Sequence, residues 1–312
     1  MRYLVTGGCG FIGSHICEEL VNEGHEVTIF DNLSSGYEHN IAAFKDKVRF
    51  IQADVRDKDA LTQATRGVDY LFHEAALVSV FDSVERPGDN NDINITGTLN
   101  VLLAARENKV KRVVVASSAA IYGNDPTLPK REEMKPQPES PYALAKILKE
   151  YYFSVFHKLY GLETVCLRYF NVFGPRQDPS SMYSGVISKF TDNILNNKQT
   201  YIFGDGGQTR DFVFVKDVVQ ANLLAMRSPK AGKGDVFNVA TGRTVSLLDL
   251  LNTLSKIEGR NIKPEFKPER SGDIRRSAAS IDKATAVLGY APKFTLFDGL
   301  KALLDYLKGH KR

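Results

Sequence analysis

The chain has 312 residues, enough for a main domain with a smaller annex, which is the arrangement expected here. Its 41 Lys and Arg against 37 Asp and Glu leave a net charge of +4 with no block of like charge, so no nucleic-acid or membrane partner is expected, and the mild basic excess suits a small anionic ligand. Three scattered cysteines, Cys9, Cys17 and Cys166, lack metal-ligand spacing, and Met1-Arg2 leads straight into a strand without an apolar leader; a cytoplasmic protein with no metal is expected.

Short β-rich runs then alternate with helical patterns: Tyr3-Leu4-Val5-Thr6, Val27-Thr28-Ile29-Phe30, Val48-Arg49-Phe50-Ile51, Tyr70-Leu71-Phe72-His73 and Val113-Val114-Val115-Ala116, with amphipathic stretches such as Ile12 to Asn22 and Asn94 to Glu107 between them. Continuous apolar strands separated by helices are what a parallel sheet covered on both faces requires, so the fold class is α/β, a doubly wound (Rossmann) sheet. After Thr164-Val165-Cys166-Leu167-Arg168 the rhythm loosens into turn-rich segments, which predicts a smaller α+β substrate-binding cap. Asp211 to Met226 and Val236 to Val239 return to strand and helix patterns. The expected division is therefore a dinucleotide-binding domain over 1–170, rejoined by about 211–240, with a cap over 171–210 and 241–312.

Thr6-Gly7-Gly8-Cys9-Gly10-Phe11-Ile12-Gly13 follows the first strand and opens the first helix, giving G-x-x-G-x-x-G at Gly7, Gly10 and Gly13. Such a loop turns tightly, lets backbone approach a pyrophosphate and offers the free N–H groups of a helix N-terminus. Asp31 ends the second strand, where a carboxylate accepts hydrogen bonds from the adenosine ribose and repels a 2′-phosphate; NAD is expected rather than NADP. Asp54-Val55 after the third strand falls near the adenine, and Ala75-Ala76 after the fourth lets the cofactor pass close.

Ser140-Pro141-Tyr142-Ala143-Leu144-Ala145-Lys146 reads as an N-cap, a proline at the first helical position, and Tyr and Lys four apart on one face. A phenol is a poor base at neutral pH, but a neighbouring ammonium and a positive nicotinamide ring favour the phenolate. Tyr142 can then take a proton from a substrate hydroxyl. The fifth strand ends in Ala116-Ser117-Ser118-Ala119-Ala120-Ile121-Tyr122-Gly123, which offers a hydroxyl at the sheet edge where ligands of open α/β sheets bind; a serine capping that strand end is the alternative reading.

These residues together resemble the extended short-chain dehydrogenase/reductase family along essentially the whole chain. Arg168-Tyr169-Phe170-Asn171-Val172-Phe173-Gly174, Gly204-Asp205-Gly206-Gly207-Gln208-Thr209-Arg210-Asp211-Phe212 and Arg270-Ser271-Gly272-Asp273 are similar to segments of its sugar-nucleotide branch, especially UDP-hexose 4-epimerases. The resemblance implies Ser118, Tyr142 and Lys146 as the catalytic set. It also implies Phe11, Ile12, Asn32, Ser35, Gly36 and Asn94 as further cofactor contacts beside Gly7, Gly10, Gly13, Asp31, Asp54, Val55, Ala75 and Ala76. For a UDP-sugar it implies Asn171, Val186, Arg210, Arg270, Asp273 and Ser277, and it suggests a homodimer through the helices around Asn94 to Glu107 and Tyr142 to Tyr160, although Leu99, Val101, Tyr152 and Phe156 read equally as core. Dehydratases of this branch carry an Asp-Glu pair after the catalytic hydroxyl; here Ala119-Ala120 stands there, so elimination lacks its acid.

In the epimerases a position shortly after the Arg-x-Gly-Asp segment lines the sugar pocket, and a small residue there admits an N-acetyl group. Alignment puts Ser277 at that position, which favours UDP-N-acetylglucosamine and UDP-N-acetylgalactosamine, with UDP-glucose and UDP-galactose also accepted. Val78 stands where some plain-hexose epimerases carry Lys. A UDP-glucuronate 4-epimerase stays open through Arg176, as does a sugar-nucleotide reductase or dehydrogenase; an NAD-sensing regulator would not need all of Ser118, Tyr142 and Lys146.

Overall fold

The computed structural model describes residues 1–178, 185–269 and 275–310. Its first half runs β1 (Arg2–Thr6), α1 (Phe11–Asn22), β2 (Glu26–Asp31), β3 (Val48–Gln52), α2 (Lys58–Ala64), β4 (Tyr70–His73), α3 (Val80–Glu85), α4 (Pro87–Asn91), α5 (Gly97–Glu107), β5 (Arg112–Ser118), α6 (Pro141–Tyr160) and β6 (Glu163–Tyr169). There follow β7 (Asn171–Phe173), α7 (Val186–Leu195), β8 (Tyr201–Phe203), β9 (Thr209–Arg210), β10 (Phe212–Phe214), α8 (Val215–Arg227), β11 (Lys233–Val239), β12 (Val245–Ser246), α9 (Leu247–Glu258), β13 (Glu265–Lys267), α10 (Asp282–Leu288) and α11 (Leu296–Gly309).

Seven parallel strands pair in the order β11-β6-β5-β4-β1-β2-β3. Because side chains alternate along a strand, β1 sends Val5 to one face and Leu4 to the other. Val5, Ile29, Phe72, Val114 and Leu167 pack with Ile16 and Leu20 of α1 and Val218 of α8, while Leu4, Phe30, Leu71, Val113 and Cys166 pack with Leu61, Val101, Leu102 and Phe153 of α2, α5 and α6. The chain runs outward from β1 through β2 and β3, then crosses back to β4 on its other side. The crevice beyond the carboxyl ends of β1 and β4 is therefore the topological switch point, where open α/β sheets bind ligands.

Several details depart from the sequence reading. The helix expected from Asn94 begins as a π-helical turn over Asp92–Thr96 before α5. Phe212–Phe214 does not rejoin the large sheet but pairs with β7 in a two-stranded one; β11 alone returns, beside β6. The cap has its own core, in which Ile187, Phe190, Leu250, Leu254, Leu300 and Leu304 of α7, α9 and α11 meet Phe173 and Phe214. Yet Ala284, Leu288 and Tyr290 pack beneath the large sheet, where the Tyr290 hydroxyl donates to the carbonyl of Ala240 at 2.9 Å. No helix among the described residues is long and apolar enough to cross a membrane.

Candidate active site

The glycine loop is built by contact rather than by flexibility. Gly7 has a φ of +70°, and a Cβ there would lie 2.6 Å from the backbone nitrogen of Ala75; at Gly13 one would lie 2.2 Å from the carbonyl oxygen of Gly7. Only hydrogen fits between the end of β1, the first turn of α1 and the loop after β4. Gly10 is the N-cap of α1 and has no side chain to cap with, so the N–H groups of Phe11 and Ile12 stay free at the positive end of the helix, open to a pyrophosphate.

Asp31 ends β2, buried, with one oxygen accepting from the Cys9 N–H at 2.9 Å and the other from Leu33 N–H at 2.8 Å. Burial raises its carboxyl above the usual range while those two N–H groups oppose the rise. Each oxygen keeps a further lone pair for a ribose hydroxyl. Gly36 is buried against the Cys9 carbonyl, and Asn32 and Ser35 are exposed beside it. Asn32 donates to Asp54 at 2.7 Å; Arg56 takes both Asp54 oxygens and holds that carboxyl down to about 2. Val55 lies behind, in the core. A cradle too tight for a Cβ, free helical N–H groups and an inward carboxylate at the switch point are what a dinucleotide needs, so these residues fit NAD.

Asn94 is different. Fully buried, its amide accepts from Leu77 N–H at 3.0 Å and donates to the Leu77 carbonyl at 2.9 Å and to Asn90 Oδ1 at 2.8 Å. Both N–H donors are spent on the protein, so Asn94 clamps the loop that carries Ala75 and Ala76, while its Oδ1 keeps a second lone pair for a cofactor hydroxyl.

At the other wall, Ser140 caps α6 by accepting from Ala143 N–H, Pro141 occupies the first turn, and Gly161 ends the helix at φ +70°. Lys146 is buried and donates to the Ala116 carbonyl of β5 at 3.0 Å, with its ammonium 5.4 Å from the Tyr142 ring centroid. This bond ties the helix face that carries Tyr142 to the strand that ends in Ser118. Ser118 Oγ accepts from Ala120 N–H at 3.1 Å, so it does cap the following turn, and its own proton remains available to a substrate oxygen. Deeper in, Arg168 of β6 grips both oxygens of Glu150 and donates to the Tyr122 hydroxyl, fixing α6 on the sheet.

Between sheet and cap lies a cavity of about 940 Å³ lined by Asn171, Val186, Arg210, Phe203, Tyr201 and Val78, among others. Asn171 Nδ2 donates to the Asp211 carbonyl, and Arg210 Nη1 to the Thr209 carbonyl. Ser277 is half-buried; its N–H donates to the Thr209 carbonyl at 3.1 Å, which sets it beside Arg210. Arg270 and Asp273 lie outside the described residues. Sequence reasoning passed over Gln177 and Gln208, whose Oε1 atoms are buried in this wall with no partner among the described residues; Gln208 at least lay inside a quoted motif, whereas nothing around Gln177 marked it.

Arg176 does not line this cavity. It bonds Glu18 of α1 at 2.9 Å and covers the Phe44 ring, so it cannot meet a sugar carboxylate without leaving both.

Residues 3–240 match the model of the NAD dependent epimerase/dehydratase family. A UDP-glucose 4-epimerase of Mycolicibacterium smegmatis is 40% identical over 312 residues, covering 99% of each chain. Among solved structures, the UDP-glucose 4-epimerase of Thermotoga maritima with UDP-glucose superposes with a TM-score of 0.94 at 40% identity over 100% of both chains. The UDP-N-acetylglucosamine 4-epimerase of Methanobrevibacter ruminantium, in complex with UDP-N-acetylmuramic acid, also gives 0.94 at 40% identity, over 99% of this chain and 98% of that one.

Proposed function

The chain belongs to the NAD dependent epimerase/dehydratase family, and within it we propose that it interconverts UDP-N-acetylglucosamine and UDP-N-acetylgalactosamine while also accepting UDP-glucose and UDP-galactose. It is an NAD-dependent sugar-nucleotide 4-epimerase. The finer reading rests on Ser277, a small residue whose N–H bonds the Thr209 carbonyl next to Arg210 of the cavity wall, where a bulky side chain would take the space of an N-acetyl group.

In this reading Gly7, Gly10, Phe11, Ile12 and Gly13 hold the pyrophosphate of NAD, Asp31 the adenosine ribose, and Ala75 and Ala76 leave passage for the rest. When bound, NAD supplies a hydride acceptor and donor at the sugar C4. Tyr142 takes the proton of the 4-hydroxyl and returns it after the 4-keto sugar has turned over, with the Lys146 ammonium beside its ring. Ser118 donates to the reacting oxygen. Arg210, with Arg270, neutralises the diphosphate about which the sugar swings, and Asn171, Val186 and Asp273 complete its seat. The seven-stranded part thus serves the cofactor and the cap serves the nucleotide.

With Arg176 held by Glu18, the uronate alternative loses the cation that suggested it. Two copies are proposed to pair through α6, where Leu144, Tyr151, Val155 and Leu159 form an exposed apolar stripe; Val101 and Phe156 belong to the core instead. Buried unpaired thiols at Cys9, Cys17 and Cys166 are in keeping with a cytoplasmic protein.

The deciding experiment is a panel of UDP-sugars with product identification. Interconversion of the N-acetylated pair without net NADH absorbance is expected, and stoichiometric NADH production would overturn an epimerase.

A further inference from the structure

Beneath the Tyr142–Lys146 pair lies an acid that the reading above leaves unused. Glu74 follows β4, and its N–H continues the sheet ladder by donating to the Thr6 carbonyl at 3.0 Å. Because His73 pairs with Val115, Glu74 falls beside Ala116, the residue whose carbonyl receives the Lys146 ammonium. Tyr169 pairs with Ser118, and its hydroxyl reaches back to donate to Glu74 Oε1 at 2.9 Å. The bond therefore passes under β5 between Ala116 and Ser118, the two points at which β5 meets the candidate catalytic groups.

Asn222 of α8, fully buried, meets the Tyr169 hydroxyl through Nδ2 at 2.8 Å and through Oδ1 at 3.1 Å, and Glu74 Oε1 is the nearer of the two acceptors for the phenolic proton. A chain that ends by donating to a carboxylate favours its ionised form. The other titratable groups around it are His73 on β4, Lys146 and Lys149 on α6, and Tyr169 on β6. His73 is spent between the Thr6 and Thr98 hydroxyls, and burial holds its imidazole neutral. Lys149 is buried, and burial together with Lys146 depresses it far below the usual lysine range. Lys146 is the lysine that meets β5 beside Glu74, through the Ala116 carbonyl. Burial pushes the Glu74 carboxyl up to about 7, against the Tyr169 hydrogen bond and both ammonium groups.

We propose that Glu74 is a positioning residue whose carboxylate, held by Tyr169 under β5, is the counter-charge of Lys146 and sets the pH at which Tyr142 loses its proton. The inference rests on Tyr142 being the proton-transferring group of the epimerase reading. Its reading is electrostatic. A negative charge beneath the pair opposes a second negative charge on the phenol, so removing it lowers the pH at which Tyr142 ionises.

The experiment is a phenolate titration by ultraviolet difference absorbance, with Tyr142→Phe in the same background subtracted to isolate Tyr142 from the other 12 of the 13 tyrosines. Glu74→Gln is expected to lower the Tyr142 midpoint by about one pH unit, the size of effect a nearby charge exerts in a partly buried site. Tyr169→Phe, which frees the carboxylate from its donor, should move it in the same direction by less. Glu74→Asp keeps the charge and should hold the midpoint near that of the parent. If Glu74→Gln fails to fold, Tyr169→Phe and Glu74→Asp still decide the question. An unmoved midpoint in Glu74→Gln or Tyr169→Phe, or an equal shift in Glu74→Asp, would overturn the proposal. The acidic limb of kcat for UDP-sugar turnover should follow the same order. A parent protein that turns over no UDP-sugar would sink the functional reading while leaving the phenolate titration able to judge Glu74.

Discussion

Arg168 binds Glu150 through two parallel bonds, Nε to Oε1 at 2.9 Å and Nη2 to Oε2 at 2.8 Å, with both side chains only 4% exposed. Ser117 adds a third bond, donating to Glu150 Oε1 at 2.6 Å. Glu150 lies one turn beyond Lys146 on α6, and Arg168 and Ser117 face each other across β6 and β5. The pair thereby fixes how α6 sits on the strand that ends in Ser118.

Breaking such a pair from one side leaves a buried charge alone. Arg168→Met should lower the unfolding free energy by about 3–5 kcal/mol, read from chemical denaturation. A loss well under about 1 kcal/mol would mean that the pair contributes little to docking the helix.

Gly13→Ala tests the cradle. The added methyl would fall 2.2 Å from the Gly7 carbonyl oxygen, so the loop must open and the helix must back away from the phosphates. NAD binding measured by fluorescence titration should weaken by at least about tenfold, or about 1.4 kcal/mol. Unchanged affinity would show that the first turn of α1 does not form the pyrophosphate seat.

Tyr142→Phe removes the acid and base of the proposed proton transfer without removing the ring. Turnover should fall by at least about 100-fold while UDP-sugar binding, followed by calorimetry, stays within a few-fold of the parent. Substantial remaining turnover would exclude Tyr142 from the mechanism.

Ser277→Tyr fills the proposed space beside Arg210. Activity on N-acetylated sugars should drop by at least about tenfold relative to plain hexoses, since a pocket rejects a larger substrate by overlap more readily than a smaller one by vacancy. Equal losses on both classes would separate Ser277 from sugar selection.

The α6 stripe predicts a dimer. Leu159 is 67% exposed, and a charge there costs the monomer little but would be buried in a paired α6. Leu159→Glu should therefore shift sedimentation from dimer to monomer with secondary structure intact, and a parent that sediments as a monomer would dismiss the stripe as an interface.

Much of the site was legible before any coordinates, because its signals are local. The spacing of Gly7, Gly10 and Gly13, the four-residue step from Tyr142 to Lys146 and the cap at Ser140-Pro141 each depend on one turn of chain, and each falls in the predicted element. Parallel strands buried on both faces also announce themselves as apolar runs. The same locality hid what Asn94 does within the protein, where its amide spans a loop to Leu77 and bonds Asn90. At Arg176 a lone cation suggested a carboxylate partner in the sugar, and Glu18, distant in sequence, had already taken it.

What the amino-acid order determined by itself, then, was the α/β class, the glycine-loop turn and the helix that carries Tyr142 and Lys146, since propensity, periodicity and steric need act over a few residues. Only the tertiary structure decided which strands flank which. It placed Phe212–Phe214 with β7, brought Tyr290 under the large sheet, and ran the Tyr169 hydroxyl beneath β5 to Glu74. Those relations join residues 41 to 95 positions apart through strand order and side-chain burial, and no local pattern encodes them.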